Sequence, residues 1–197
     1  MITLIVFAFD MGGVTVNNSD VIPKIFEFYG MDKEYFTNKG FYSLLKKLSI
    51  GSISEEIFWK DFCDKTNLKN NGNLFEKFFN PELNQDTAEI IKKLKENYRV
   101  ICITNTIESH YNIHMKNGDY NLFDKVYTSF SENIQKPDGK FYLSVLEKEN
   151  IHPGELIFTD DSEENINSAL KLGIKAIHFK NPELLRKDLK NFINFKK

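Results

Sequence analysis

The sequence predicts an α/β protein: a doubly wound, Rossmann-like parallel sheet with an α-helical cap inserted into it. Three observations carry this. Leu4 to Phe9, Val100 to Ile103, Leu156 to Phe158 and Ile174 to Phe179 are short, nearly unbroken apolar runs, as strands covered on both faces require. Helical apolar spacing lies between them. The stretch from Thr15 to Asn80 breaks the alternation, carrying helical stripes and no convincing strand.

The elements follow in order. Lys125 to Ser129 is a weaker candidate for a fifth strand. Thr87, Ile90, Ile91, Leu94 and Tyr98 line one helix face; Phe141, Tyr142, Val145 and Leu146 line another. Ile166, Ala169 and Leu170 form a third stripe, stopped by Gly173. In the inserted stretch the stripes are Val21, Ile22, Ile25, Phe26 and Tyr29; then Phe41, Leu44, Leu45 and Leu48; then Ile57, Phe58 and Phe62, with Ser52 or Ser54 as the cap of the last. Half of the 18 Phe residues fall here, enough aromatic surface for a small core of its own. The expected organisation is therefore a core of residues 1–14 and 81–197 with a helical cap of residues 15–80.

Composition narrows the function. The 197 residues carry 26 basic and 28 acidic side chains, a net charge of -2, without the basic excess of a nucleic-acid or anionic-membrane binder. The apolar opening run lacks a basic start and a small-residue cleavage site, so it reads as a strand. With no apolar stretch near the ~18 residues of a membrane span, the expectation is a soluble, cytoplasmic protein. Cys63 and Cys102 are far apart, and Cys102 inside an apolar run reads as a small buried hydrophobe. Monomer and homodimer both stay open.

Ligands of open α/β sheets bind at the carboxyl ends of strands. Those ends hold Asp10-Met11-Gly12-Gly13-Val14, Thr104-Asn105-Thr106 and Thr159-Asp160-Asp161-Ser162, with Lys136-Pro137 before a helix. Singly, each has a plain explanation: a strand terminus, a turn, a solvated lysine, or acids favouring a helix N-terminus. Brought together, three carboxylates would repel unless a cation sat among them, and oxygen ligands with phosphate and water describe Mg²⁺. His110 and His114 lie four apart, a spacing that binds metal on a helix, but no third ligand is in sight and exposure is the expectation.

In their order and placement these segments resemble the four motifs of the haloacid dehalogenase superfamily, over essentially the whole chain. The glycine pair after Asp10, Gly51-Ser52-Ile53-Ser54, Thr104-Asn105-Thr106 and the spacing from Asp160-Asp161 to Asn165 look most like the branch of sugar-phosphate phosphatases and the phosphatase domain of soluble epoxide hydrolases. The resemblance implies a Mg²⁺-dependent phosphatase acting on a small phosphorylated metabolite, a sugar phosphate among the options. It implies Asp10 as nucleophile, Thr104 and the Asn105 backbone on the phosphoryl oxygens, and Lys136 balancing charge. It also implies Mg²⁺ on Asp10, the Gly12 carbonyl and Asp161, with Asp160 acting through water and Asn165 bracing the loop.

One departure stands out. Family phosphatases place a second Asp, the proton donor to the leaving alcohol, where this chain has Gly12; such help is worth ~10²–10⁴-fold. An easily departing leaving group is one compensation. The alternative reading is a weak or inactive member that binds a phosphorylated ligand or partner. Dehalogenation through an Asp10 ester ranks last, because it leaves Asp160 and Asp161 unneeded.

Overall fold

The structure is a computed structural model that describes residues 5–193. Five parallel strands form the main sheet: β1 (Val6–Phe9), β4 (Arg99–Thr104), β5 (Lys125–Thr128), β6 (Leu156–Asp160) and β7 (Lys175–His178), in the order β5-β4-β1-β6-β7. Within the described residues, outside which Leu4 falls, all four expected runs form strands, and so does the weaker fifth. Phe9 stands opposite Cys102 on one side and Thr159 on the other. The sheet therefore reverses its winding around β1, which puts the ends of β4, β1 and β6 side by side.

The period-two alternation of the strands sorts their side chains into two apolar layers. Phe7, Phe9, Val100, Cys102 and Ile157 pack on one face with α6 (Gln85–Lys95) and α11 (Pro182–Leu189). Val6, Ala8, Ile101, Ile103 and Phe158 pack on the other with α9 (Gly139–Glu149) and α10 (Glu163–Lys171). Cys102 is a buried free thiol, as its apolar run implied.

Between Val16 and Leu83 lie α1 (Ile22–Tyr29), α2 (Lys33–Asn38), α3 (Phe41–Ser49), α4 (Glu55–Thr66) and α5 (Leu74–Phe78). Ser54 caps α4 by accepting a hydrogen bond from the Ile57 amide. Phe36, Phe41, Phe58, Phe62 and Phe75 gather into a third apolar cluster that also takes in Trp59 and Ile107. One strand does occur in the stretch expected to have none: β2 (Val16–Asn17) pairs antiparallel with β3 (Glu82–Leu83), Val16 opposite Leu83. Both connections to the helical segment thus run side by side as a two-stranded ribbon.

Several contacts tie this segment to the rest. The Ser129 hydroxyl, in α8 (Ser129–Glu132), donates to the Ser49 carbonyl at 2.6 Å and lies 3.1 Å from the Thr106 carbonyl. Glu55 accepts from the Ser109 amide in the first turn of α7 (Glu108–Asn117). Gly51 sits with φ of +71° where a Cβ would stand 2.6 Å from the Phe130 carbonyl oxygen, so only glycine allows that approach.

The sheet end away from the strand carboxyl termini has its own bolt. Arg99 Nη2 donates to Glu149 Oε1 at 3.0 Å, and the Tyr127 hydroxyl donates to the same oxygen at 2.6 Å. Burial alone would raise the Glu149 pKa, but the Arg99 and Tyr127 hydrogen bonds hold it below the ordinary 4.5. A lowered carboxyl stabilises the fold above its ordinary pKa and ceases to do so as pH falls through its folded value. Glu149→Gln should therefore cost about 1–3 kcal/mol at pH 7, and thermal melts should show the gap from wild type closing as pH drops below 4.5. A gap that persists into acid would contradict this role for the charge.

Candidate functional site

Asp10 is the first residue after β1, fixed by its own backbone. Its amide donates to the Thr159 carbonyl at 2.9 Å, and the Thr15 hydroxyl donates to its carbonyl at 2.7 Å. The side chain is held by one oxygen only: Oδ1 accepts from the Met11 amide at 2.7 Å and pairs with Lys136 Nζ at 2.9 Å. No described residue donates a hydrogen bond to Oδ2.

Lys136 is the buried cation of this centre, 2% exposed. Its Nζ bridges Asp10 Oδ1 and Asp160 Oδ2, the latter at 2.6 Å. Its backbone is clamped by Asn105, whose Nδ2 donates to the Lys136 carbonyl and whose Oδ1 accepts from the Lys136 amide, both at 2.9 Å. Asp160, fully buried, has every oxygen engaged. Oδ1 accepts from the Ser162 amide at 2.8 Å and Asn165 Nδ2 at 3.0 Å, and Oδ2 accepts from Lys136 and again from Asn165 at 3.1 Å. Asn165 is thus the brace that the resemblance implied.

Asp161, next in the chain, is exposed. Its carboxylate lies over Gly13: a Cβ on Gly13, which has φ of +75°, would fall 2.3 Å from Asp161 Oδ2. Glycine is thus required twice there, by backbone conformation and by the acid that fills its bare face. Gly12 differs. Its φ lies outside the left-handed region, and an added Cβ would meet only the Ser19 side chain, its hydroxyl at 2.9 Å and its Cβ at 3.4 Å. Nothing in the backbone demands its glycine. Thr104 ends β4 in a buried position, its hydroxyl only 3.5 Å from the Asn105 carbonyl.

Charge here is set by burial and by the lysine. Burial pushes the Asp10 carboxyl up to about 7, with Lys136 opposing and Asp160 reinforcing the rise. Burial works against charge on Lys136, yet the two carboxylates on it override that and keep it above the ordinary lysine value. Asp161 is raised by partial burial and by Asp160 beside it. Oxygens of Asp10, Asp160 and Asp161 all lie within 4.8 Å of one another, a purely oxygen-donor group that could hold a hard divalent cation. Asp160, saturated by protein donors, is the least able of the three to bind it directly.

One other expectation changes. His110 and His114 are not an exposed pair. His114 is buried against Asp119 at 2.7 Å, and His110 stacks flat on Phe79 with ring centroids 3.7 Å apart. Trp59 is buried in the third cluster, the packing role that its apolar surroundings favour. His178 contributes in a way the sequence did not signal: its Nε2 lies 2.9 Å from the Asp161 carbonyl, beside the acidic loop.

Residues 7–179 match the profile of haloacid dehalogenase-like hydrolases. The chain belongs to that family. Among curated proteins it is 28% identical over 106 residues to a drimenol cyclase of Aspergillus calidoustus, covering 51% of this chain and 20% of the relative. It is 35% identical over 71 residues to a sesquiterpene phosphatase of Aspergillus oryzae, covering 36% of this chain and 33% of the relative. The chain thus spans a third or less of the length of either relative. Among solved structures, a family enzyme of Bacteroides thetaiotaomicron superposes with a TM-score of 0.77 at 25% identity, covering 90% of this chain and 94% of that one. A structure of the same Bacteroides enzyme at 24% identity and TM-score 0.74, covering the same shares of both chains, holds magnesium and inorganic phosphate. No helix among the described residues is long and apolar enough to cross a membrane.

Removing one member of the charged trio tests its balance. Lys136→Met leaves two buried carboxylates facing each other and should cost about 3–5 kcal/mol in urea melts at pH 7. Asp10→Asn has the opposite sign. A carboxyl raised from 3.8 to about 7 opposes folding once pH exceeds its unfolded value, so the metal-free variant should melt at or above wild type. A strongly destabilised Asp10→Asn would overturn this electrostatic account.

Proposed function

We propose that this chain is a phosphomonoesterase, transferring the phosphoryl group of a small phosphorylated metabolite to Asp10 and then to water. The observation that carries the reading is the asymmetry of Asp10: Oδ1 is pinned by Met11 and Lys136, while Oδ2 has no donor among the described residues. A carboxylate held this way can present Oδ2 to phosphorus without rotating. Lys136 favours its ionised form against the burial that raises its pKa, and offsets the charge that builds as two anions meet. Thr104 and the Asn105 backbone would meet the phosphoryl oxygens, and the Asn105 side chain keeps Lys136 in register. Relatives named as a phosphatase and crystallised with phosphate support the same direction.

Asp10, Asp161 and the Gly12 carbonyl would hold a Mg²⁺ ion, with Asp160 one water further out; the ion would supply positive charge between nucleophile and phosphate. The same reading makes residues 15–80 a cap over a core of residues 1–14 and 81–197, in a cytoplasmic protein with no nucleic-acid or membrane partner. Gly12 is the observation that favours the second reading, binding of a phosphorylated ligand without turnover.

Phosphate release from p-nitrophenyl phosphate, with and without Mg²⁺, separates the two. The activated ester should be hydrolysed only with the metal, and Asp10→Asn should lose at least ~10³-fold while staying folded. Folded protein that binds Mg²⁺ but releases nothing would move the assignment to binding. Gly12→Asp combined with Ser19→Ala, which clears the space the new side chain needs, should raise turnover of alkyl phosphates by ~10²-fold or more, the worth of a proton donor. No gain would mean that another group already donates the proton.

A further inference from the structure

The loop after β1 folds back on itself. The Gly13 amide donates to the Val16 carbonyl and the Val16 amide to the Met11 carbonyl, both at 2.9 Å. Asn18, with φ of +54°, then turns the chain in the left-handed region that asparagine tolerates. Ser19 is thereby returned over Gly12, its hydroxyl 2.9 Å from where a Cβ on that glycine would stand. Both glycines are thus covered by side chains from elsewhere, Gly13 by the Asp161 carboxylate and Gly12 by Ser19.

Gly12, Gly13, Ser19, Asp20 and Asp161 share one opening. Asp161 has a carboxylate oxygen within 4.8 Å of one on Asp10, so this opening lies against the charged centre. Ser19 and Asp20 also line a cavity of about 460 Å³ between α1 and α3 of the helical segment and the loops after β4 and before α9, where Asn105 stands. Among the described residues, Ser19 carries the only hydroxyl common to both linings. It is half-buried, and no described residue hydrogen-bonds that hydroxyl. Asp20 is engaged differently: its Oδ1 accepts from the Ile22 amide at 3.0 Å. A serine hydroxyl left free in this way rotates to donate one hydrogen bond.

Resting on the phosphatase reading above, we propose that the Ser19 hydroxyl donates a hydrogen bond to the oxygen that joins phosphorus to the leaving alcohol. Asp10 Oδ2 forms its bond to phosphorus as the bond from phosphorus to that oxygen breaks, and the electron pair stays on the departing oxygen. Negative charge builds there, so the hydrogen bond is stronger in the transition state than in the bound ester. Ser19 keeps its own proton, because an alcohol is too weak an acid to give it up. The departing alkoxide takes a proton from water entering by the opening. Water then cleaves the aspartyl-phosphate, giving phosphate, free Asp10 and a proton to solvent. One such hydrogen bond is worth about tenfold, less than the ~10²–10⁴-fold of a full proton donor. Exchanging it for an acid at position 12 therefore still leaves a net gain.

The test is how the loss of this hydroxyl depends on the leaving group. Benzyl and p-nitrophenyl phosphate are similar in shape, but benzyl alcohol is much the weaker acid and gains most from a donor on its oxygen. Ser19→Ala should lower kcat and kcat/KM for benzyl phosphate about tenfold, and for p-nitrophenyl phosphate about twofold or less. The activity retained on the nitrophenyl ester shows that the variant is folded. Asp20→Asn, which keeps an acceptor for the Ile22 amide, should leave the ratio of the two esters unchanged. Equal losses on both esters, no loss on either, or a selective loss in Asp20→Asn instead would overturn the role of Ser19 while leaving the phosphatase reading intact. So would wild-type protein that turns over the nitrophenyl ester and no benzyl phosphate. If even p-nitrophenyl phosphate is untouched, the phosphatase reading itself fails and the role of Ser19 falls with it.

Discussion

A buried lysine between two carboxylates organises this molecule's functional end. A single charge in so dry a place would be costly, and two anions without the cation would be worse. Lys136 and Asp160 are tolerable there because each is paired, and much of the surrounding structure holds Asp10 against that pair. Asn105 grips the backbone on both sides of Lys136, Asn165 and the Ser162 amide saturate Asp160, and Met11 holds one oxygen of Asp10. What the arrangement leaves over is a single carboxylate oxygen, Oδ2 of Asp10, beside an exposed acid at Asp161. The stabilising network and the reactive group are thus one construction, with the reactive atom being the one the network does not consume.

The sheet topology makes that construction possible. With β1 between β4 and β6, three strand ends lie side by side, and short loops suffice to carry Asp10, Thr104 and Asp160. The loop after β1 turns on Gly13, whose absent side chain makes room for Asp161. The helical segment supplies the other wall. Its aromatic cluster reaches Ile107, and Ser129 and Glu55 bind it across the gap, so the cavity beside the charged centre is lined from both sides.

Much of this was legible in the residues themselves. The strands announced themselves because a strand covered on both faces has no polar side to show, and the acids after Phe9 and Thr159 stood out as abrupt ends to apolar runs. The β2–β3 ribbon left no trace, because two residues per strand carry no periodicity. Helix α7 was not anticipated: from Glu108 to Asn117 it is polar around most of its circumference, and its buried side includes His114, whose partner Asp119 makes burial tolerable. The exposure expected of His110 failed for a related reason, since stacking on Phe79 is a contact between distant parts of the chain. The clamp of Asn105 on Lys136 joins positions 31 apart and has no local signature. Gly12 read as a deficit in the sequence; in the structure it is also a space shared with the Ser19 side chain.

The central claim is that the unpartnered oxygen of Asp10 takes the phosphoryl group. The most direct measurement is acid quenching of the protein during steady-state turnover of an aryl phosphate, followed by peptide mapping by mass spectrometry. The account predicts one phosphoryl group on the peptide containing Asp10, absent in Asp10→Asn and lost on warming at neutral pH as an acyl phosphate would be. Continued turnover with an unmodified Asp10 peptide, or a phosphoryl group on any other residue, would contradict it.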